Sequence, residues 1–304
     1  MPMGAGAARR SLVPAAALAA AVAMPALPAR ADIGQCDRLA GLPQPWLDHG
    51  EKPTPRAGPP MIRIDADRAI AVCRAALDAE PGNVRLMFQL GRALDKAQRW
   101  PEALPLYRRA AEESYAPAQT ALGRLYEDGR AVPQDSATAM RWYRLAAIQS
   151  YPPAATAIGA LNLDGDGVRR DAREAVRWFR EGAERGEPRA QLMLGRLFQQ
   201  GRGVVADEMA GAEWIAKAAE QGEAEAQTAY AFILQEGRGV SRDLGASIRW
   251  FRRAAEQGDA QAQAQLGWAY EQGLGVTLSE TEAAEWYRKA ALQGAADAQR
   301  NLAW

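Results

Sequence analysis

The stretch "LGWAYEQGLGV" fills residues 266–276, and near-copies stand at 194–204 ("LGRLFQQGRGV") and 122–132 ("LGRLYEDGRAV"), with looser ones beginning at 158 and 230. A catalytic motif needs to occur once, so a phrase repeated five times reads as a building rule. Trp142, Trp178, Trp214, Trp250 and Trp286 are each 36 residues apart, and so are Gly129, Gly165, Gly201, Gly237 and Gly273. Ala118, Ala154, Ala190, Ala226, Ala262 and Ala298 keep the same step. Three columns without a slip define five units over 117–296, beginning at 117, 153, 189, 225 and 261, and a partial terminal repeat over 297–304. A period of this length marks a solenoid, in which each unit buries its apolar face only against its neighbours.

Each unit reads as two helices. In the second, Ala139, Trp142, Tyr143, Ala146 and Ala147 fall at i, i+3, i+4, i+7 and i+8, one helical face. Asp135, Asp171, Asp207, Asp243 and Ser279 stand where this helix starts and fit N-caps; Asp171 with Glu174, and Ser279 with Glu282, fit capping boxes. Gly186, Gly222, Gly258 and Gly294 stand where it should stop. The first helix carries Ala118, Leu122 and Tyr126 on one face. Gly123, Gly159, Gly195 and Gly267 let the paired helix approach bare backbone, with Ala231 in the fourth unit. The glycine pairs after it, such as Gly201 and Gly203, read as turn residues.

Upstream the rhythm shifts. Leu90-Gly91 precedes Leu122-Gly123 by 32 residues, which places a helix–turn–helix unit with a shorter connection over 82–116 and one more helix over 66–79, ending at Pro81-Gly82. Residues 32–65 are assigned as an irregular segment, Pro-rich from 40 onward. Residues 1–31 have the form of a cleavable export signal: Arg9 and Arg10, an apolar middle, and Ala29-Arg30-Ala31 before the cut, leaving Asp32 first. Export to an oxidising compartment predicts a disulfide between Cys36 and Cys73 over two free thiols. Removing 1–31 takes away Arg9, Arg10 and Arg30 and no acid, leaving 34 basic against 37 acidic residues. That balance offers nothing to nucleic acid. No apolar run in the mature part is long enough to span a bilayer.

The columns A-Q-x-x-L-G-x-x-Y-x-x-G-x-G-V, then Asp, then W-[YF]-R-x-A-A-x-x-G resemble the Sel-1-like repeat family, a relative of the tetratricopeptide repeat, over 117–304. Residues 66–116 are more similar to tetratricopeptide helices. Ala155, Asn162 and Ile215 depart from the family pattern. The resemblance implies an all-α, right-handed superhelix with first helices on the concave side and second helices on the convex side. It also implies a non-catalytic scaffold for protein partners, exported in many bacterial members and serving the envelope in some. A branch with paired cysteines in each repeat has been linked to penicillin binding, but the five units here contain no Cys.

No catalytic set, cofactor motif or metal site emerges. His49, the single His, has no nucleophile at a fixed spacing and lies in the Pro-rich segment. "NLDGDGVRRDARE" (162–174) imitates a calcium loop, but position 12 is Arg173 instead of Glu, and the stretch falls on an ordinary inter-helix turn. The informative column lies two residues after the marker Leu: Arg92, Arg124, Ala160, Arg196, Phe232 and Trp268. Glu127, Gln199, Gln235 and Glu271 lie one turn on. The expected site is a groove for a protein or peptide, with Arg92, Arg124 and Arg196 pairing carboxylates and Phe232 and Trp268 stacking on an apolar surface. A glycan is the alternative occupant, and an envelope protein that binds peptidoglycan the alternative function. Trp304 repeats the place of Trp268 in the unfinished unit, as a cap or a sticky edge.

Overall fold

The computed structural model describes residues 33–41, 64–165 and 167–301. The export signal, His49 with most of the Pro-rich segment, Asp166 and Trp304 lie outside them. The described residues form helices only, in the order α1 (Ile33–Ala40), α2 (Ala66–Ala79), α3 (Val84–Lys96), α4 (Trp100–Glu112), α5 (Ala116–Asp128), α6 (Ser136–Ile148), α7 (Pro152–Asp164) and α8 (Ala172–Glu184). They continue with α9 (Pro188–Gln200), α10 (Glu208–Glu220), α11 (Ala224–Glu236), α12 (Leu244–Glu256), α13 (Ala260–Gln272), α14 (Glu280–Leu292) and α15 (Ala296–Asn301). Each packs on the next in chain order, and the first helices α5, α7 and α9 also touch one another in sequence. First helices are therefore the closer-spaced layer, the inner side of a right-handed superhelix. No helix among the described residues is long and apolar enough to cross a membrane.

The two helices of a unit meet at the glycine of the Leu-Gly step. A Cβ on Gly123 would lie 2.6 Å from the ring of Tyr143, one on Gly91 2.5 Å from Tyr107, and one on Gly159 2.9 Å from Phe179. On Gly267 it would lie 2.8 Å from Tyr287. The bare backbone is thus seated against a ring of the second helix, from the column Tyr107, Tyr143, Phe179, Ile215, Phe251 and Tyr287. At Gly195 the partner is Ile215, and Gly211 brings a second bare backbone, its carbonyl 2.7 Å from where that Cβ would be. Asp135, Asp171, Asp207, Asp243 and Ser279 cap the second helices as the sequence predicts, each accepting a backbone N–H two or three residues on.

Successive units are joined by three further contacts. Gln119, Gln191, Gln227 and Gln263 each donate their amide to a carbonyl at the end of the preceding second helix, at 3.0–3.2 Å. Each also accepts from the glutamine that ends the next helix: Gln149, Gln221, Gln257 and Gln293, at 2.8–2.9 Å. Where Ala155 interrupts the column its partner is also replaced, by Arg185, and a bond from Thr156 Oγ1 to Glu187 (2.7 Å) crosses between helices instead. The tryptophans pack on clusters shared with the preceding unit: Trp178 on the one formed by Ala139, Met140, Tyr143, Ile158 and Leu161, and Trp214 on the one that includes Val176, Phe179, Leu194 and Leu197. The second turn glycine is the third contact. A Cβ on Gly203 would meet the Ala172 carbonyl at 2.2 Å and one on Gly239 the Glu208 carbonyl at 2.3 Å. These residues do more than turn the chain, because they lie against the start of the preceding unit's second helix.

Two boundaries are corrected. The repeating helices begin at Ala116, so the units start one residue earlier than the column count suggests. Residues 33–40, assigned to an irregular segment, are helix α1. The proline-rich composition that governed that reading begins only after Ala40. Cys36 and Cys73 are both fully buried and disulfide-bonded, linking α1 to α2 across 37 residues. On the chain-entropy model a loop of that size stabilises by about 3–4 kcal/mol.

Two substitutions separate the close-approach glycines from the left-handed ones. Gly267→Ala gains about 1 kcal/mol of helix propensity but forces a Cβ into Tyr287, so a net loss of about 1–2 kcal/mol is expected as a lower Tm. Ser150 holds φ +60°, where the later units place Gly186, Gly222, Gly258 and Gly294. Ser150→Gly is expected to raise stability by about 1 kcal/mol in the same thermal melt.

Candidate partner-binding groove

The column expected to bind a partner divides into three. Arg92 is a correction: it is 4% exposed, and its Nη1 donates to the carbonyls of Ala40 (2.8 Å) and Gly41. Burial lowers its pKa. It holds α1 and is not available to a partner. Arg124 is exposed. Arg196 is half-buried and paired with Glu225 at 2.6 Å. Phe232 meets Phe251 edge-on at 5.0 Å, and Trp268 is 38% exposed.

Of these, Phe232 and Trp268 are brought together. They line one cleft of about 630 Å³ on α11, α13 and α15, with Gln235, Gln261, Gln265, Asn301 and one charged residue, Glu236, which is paired with Arg238. The wall at Trp268 also borders a 60 Å³ cavity lined by Gln235, Ser247, Ile248 and Phe251. The arginines lie on other repeats and form no cluster with this pair. Gln261 and Gln265 went unrecognised as site residues, although a signal was present: with Trp268 they fall at i, i+4 and i+7, one face of a helix.

The acids one turn on have assigned work. Tyr143 donates its hydroxyl to Glu127, and Tyr287 to Glu271 at 2.8 Å. Burial first, and then the nearby carboxylate, raises the pKa of both phenols. Where the acid column carries Leu163, Gln199 or Gln235, the ring column carries Phe179, Ile215 or Phe251, none of which has a hydroxyl to satisfy. These glutamates therefore stabilise the hairpin and leave Gln235 as the member of that column that lines the cleft. In the stretch resembling a calcium loop, Asn162 Nδ2 donates to the Ile158 carbonyl (2.8 Å) and Asp171 caps α8.

The same face recurs at the other end of the molecule. Arg85, Gln89 and Arg92 occupy on α3 the register positions that Gln261, Gln265 and Trp268 occupy on α13, counted from Leu90 and Leu266. On α3 that face is covered by α1. Arg85 Nε donates to the buried Asp37 at 3.0 Å, Gln89 Nε2 to the same carboxylate at 2.6 Å, and Arg92 to the carbonyls that end α1.

A family model described as Sel1 repeat matches residues 116–151, 152–187, 188–223, 224–259 and 260–294. The chain belongs to the Sel1 repeat family. A tetratricopeptide repeat model matches 65–126. The chain is similar to c5321, a protective antigen of uropathogenic Escherichia coli with an SLR fold: identity is 35% and the TM-score 0.63, over 77% of this chain and 50% of that one. It thus spans half the length of that relative. A Sel1 repeat protein of Oxalobacter formigenes is 32% identical with a TM-score of 0.65, over 72% of this chain and 88% of that one. The Cut9–Hcn1 assembly of APC/C matches at 11% identity and a TM-score of 0.53, over 78% of this chain and 45% of that one, a likeness of fold alone. No curated protein matches. The Sel1 and tetratricopeptide repeats place this chain in a fold class whose members typically serve as protein–protein interaction scaffolds and are generally non-catalytic.

The carboxylates that precede the first helices do not all act alike. Glu187 and Asp259 cap α9 and α13 and also accept from Thr156 and Thr228. Glu223 stands at the equivalent place before α11, where the threonine column has Leu192, and its side chain makes no cap bond. Burial, and then Glu187 and Glu225, raise its pKa above the ordinary value. A raised folded-state pKa means that Glu223 costs nothing below its unfolded pKa and destabilises as pH climbs through the folded one. Glu223→Gln is expected to raise Tm at pH 7 and to lose that advantage by about pH 4, which melts at the two pH values would show.

Proposed function

We propose that this Sel1 repeat protein is an exported, non-catalytic scaffold of the bacterial envelope that holds a segment of a protein partner along the inner face of its repeats. The observation that carries this reading is the register match between α3 and α13: a face that holds a polypeptide within the chain on α3 is, among the described residues, open around Trp268 on α13. The open copy replaces two arginines with Gln261 and Trp268, so its occupant is more apolar than α1 and needs fewer carboxylates. Neutral amides at Gln235, Gln261, Gln265 and Asn301 suit the backbone N–H and C=O groups of such a segment. Trp268 is the aromatic anchor. Export rests on the leader-like residues 1–31, and the envelope role on the family resemblance.

A photo-crosslinker at Gln265 of the mature protein is expected to trap a polypeptide in intact cells, whereas one at Arg180 on the outer face is not. Phe232→Ala with Trp268→Ala should weaken capture by about tenfold or more while the helical spectrum stays unchanged. Equal trapping at both sites would refute the groove. Retention on purified peptidoglycan that needs Trp268, without any polypeptide adduct, would transfer the site to a glycan. Terminal sequencing of the exported form should begin at Asp32.

A further inference from the structure

Away from this groove, a cleft of about 370 Å³ lies between α12 and the turn that joins α13 to α14. Arg249, Arg252 and Arg253 line it, with Ile248 and Val276 as its apolar wall. Two of the guanidiniums are held. Arg252 Nη2 donates to the Tyr270 hydroxyl at 2.6 Å, and Arg253 stacks over Trp250 at 4.6 Å from the ring centre. Neither contact neutralises charge, and none of the three arginines is ion-paired among the described residues. The cleft's one carboxylate is Glu256.

The repeats provide an internal comparison. At these three register positions the first unit has Arg141, Arg144 and Leu145, and the second Arg177, Arg180 and Glu181. The third has Glu213, Ala216 and Lys217, and the fifth Glu285, Arg288 and Lys289. The fourth unit alone carries three arginines. One turn earlier it has Gly245, where the others have Ala137, Arg173, Met209 and Thr281, and a side chain there would project toward Arg249. Charge is concentrated, and space opened, in the same unit.

A planar carboxylate offers only two oxygens, in one plane, for three guanidinium forks to share. A tetrahedral phosphate ester presents its free oxygens in different directions, so forks from different sides of a cleft can each reach one. We propose that this cleft binds a phosphate ester, with Arg249, Arg252 and Arg253 as its donors and Ile248 and Val276 against the organic part. A soluble phosphate ester and a phospholipid headgroup share this chemistry.

The test uses the full mature chain. Inorganic phosphate is titrated by calorimetry, and co-sedimentation is measured with phosphatidylglycerol vesicles and with phosphatidylcholine vesicles. Saturable one-to-one binding of phosphate, or sedimentation with the anionic vesicles alone, is expected. Arg249→Gln with Arg253→Gln should weaken it by about tenfold or more, while Arg141→Gln with Arg144→Gln leaves it unchanged. Phosphate binding without vesicle binding assigns a soluble ester, and vesicle binding a headgroup. Equal losses in both double variants would overturn the site in favour of diffuse charge, as would tighter binding of succinate than of phosphate, or no saturable binding to either probe. Helical spectra and melts of the variants identify any misfolded protein, and Arg249→Gln alone then replaces the double variant.

Discussion

The structure depends on how closely two helices approach at a glycine. In the hairpins that carry both the glycine and a ring, the place of the missing Cβ is taken by an aromatic side chain of the second helix: Gly91 with Tyr107, Gly123 with Tyr143, Gly159 with Phe179 and Gly267 with Tyr287. That contact sets the depth at which the helices pack and buries Tyr107, Tyr143 and Phe179, among the largest fully buried side chains. Where the ring is lost, at Ile215, a second glycine appears opposite at Gly211 and restores the approach. Where the glycine is lost, Ala231 shares a core cluster with Phe251, and Ser247 Oγ donates to the Ala231 carbonyl at 2.8 Å. The unit tolerates changes in its parts so long as the two backbones remain near.

A hairpin of this size cannot bury both its faces alone. The glutamine network, the tryptophan-covered clusters that span two units and the second turn glycine each join a unit to the one before it, so order propagates along the chain. The N-terminal end is finished differently. There α1 is bonded to α2 through Cys36–Cys73 and held on α3 by Arg85, Gln89 and Arg92. Among the described residues the inner face is thereby closed at α3 and open around α13, and the proposed binding function rests on this asymmetry.

Nearly all of the fold was legible because a strict period repeats the same evidence five times. The N-caps, the breaks at glycine and the pairing of helices all follow from residues whose local chemistry decides their role. Arg92 was misread for the complementary reason: its column identifies a face, whereas its occupant comes from 52 residues away, at Ala40, where no period operates. Glu127 and Glu271 looked like groove acids because the tyrosines that engage them lie 16 residues further on, in another column. The rings were recognised as core, but their seat on glycine is a distance, and a sequence gives only its order.

A double-mutant cycle at Gly123 and Tyr143 tests the close-approach claim most directly. Gly123→Ala should destabilise the protein by about 1–2 kcal/mol when Tyr143 is present, because the new Cβ meets the ring. In a Tyr143→Ala background the same change should become neutral or stabilising, since helix propensity and cavity filling then favour it. An equal loss in both backgrounds, measured by denaturant unfolding, would show that the ring does not set the approach of the helices, and the account would fail.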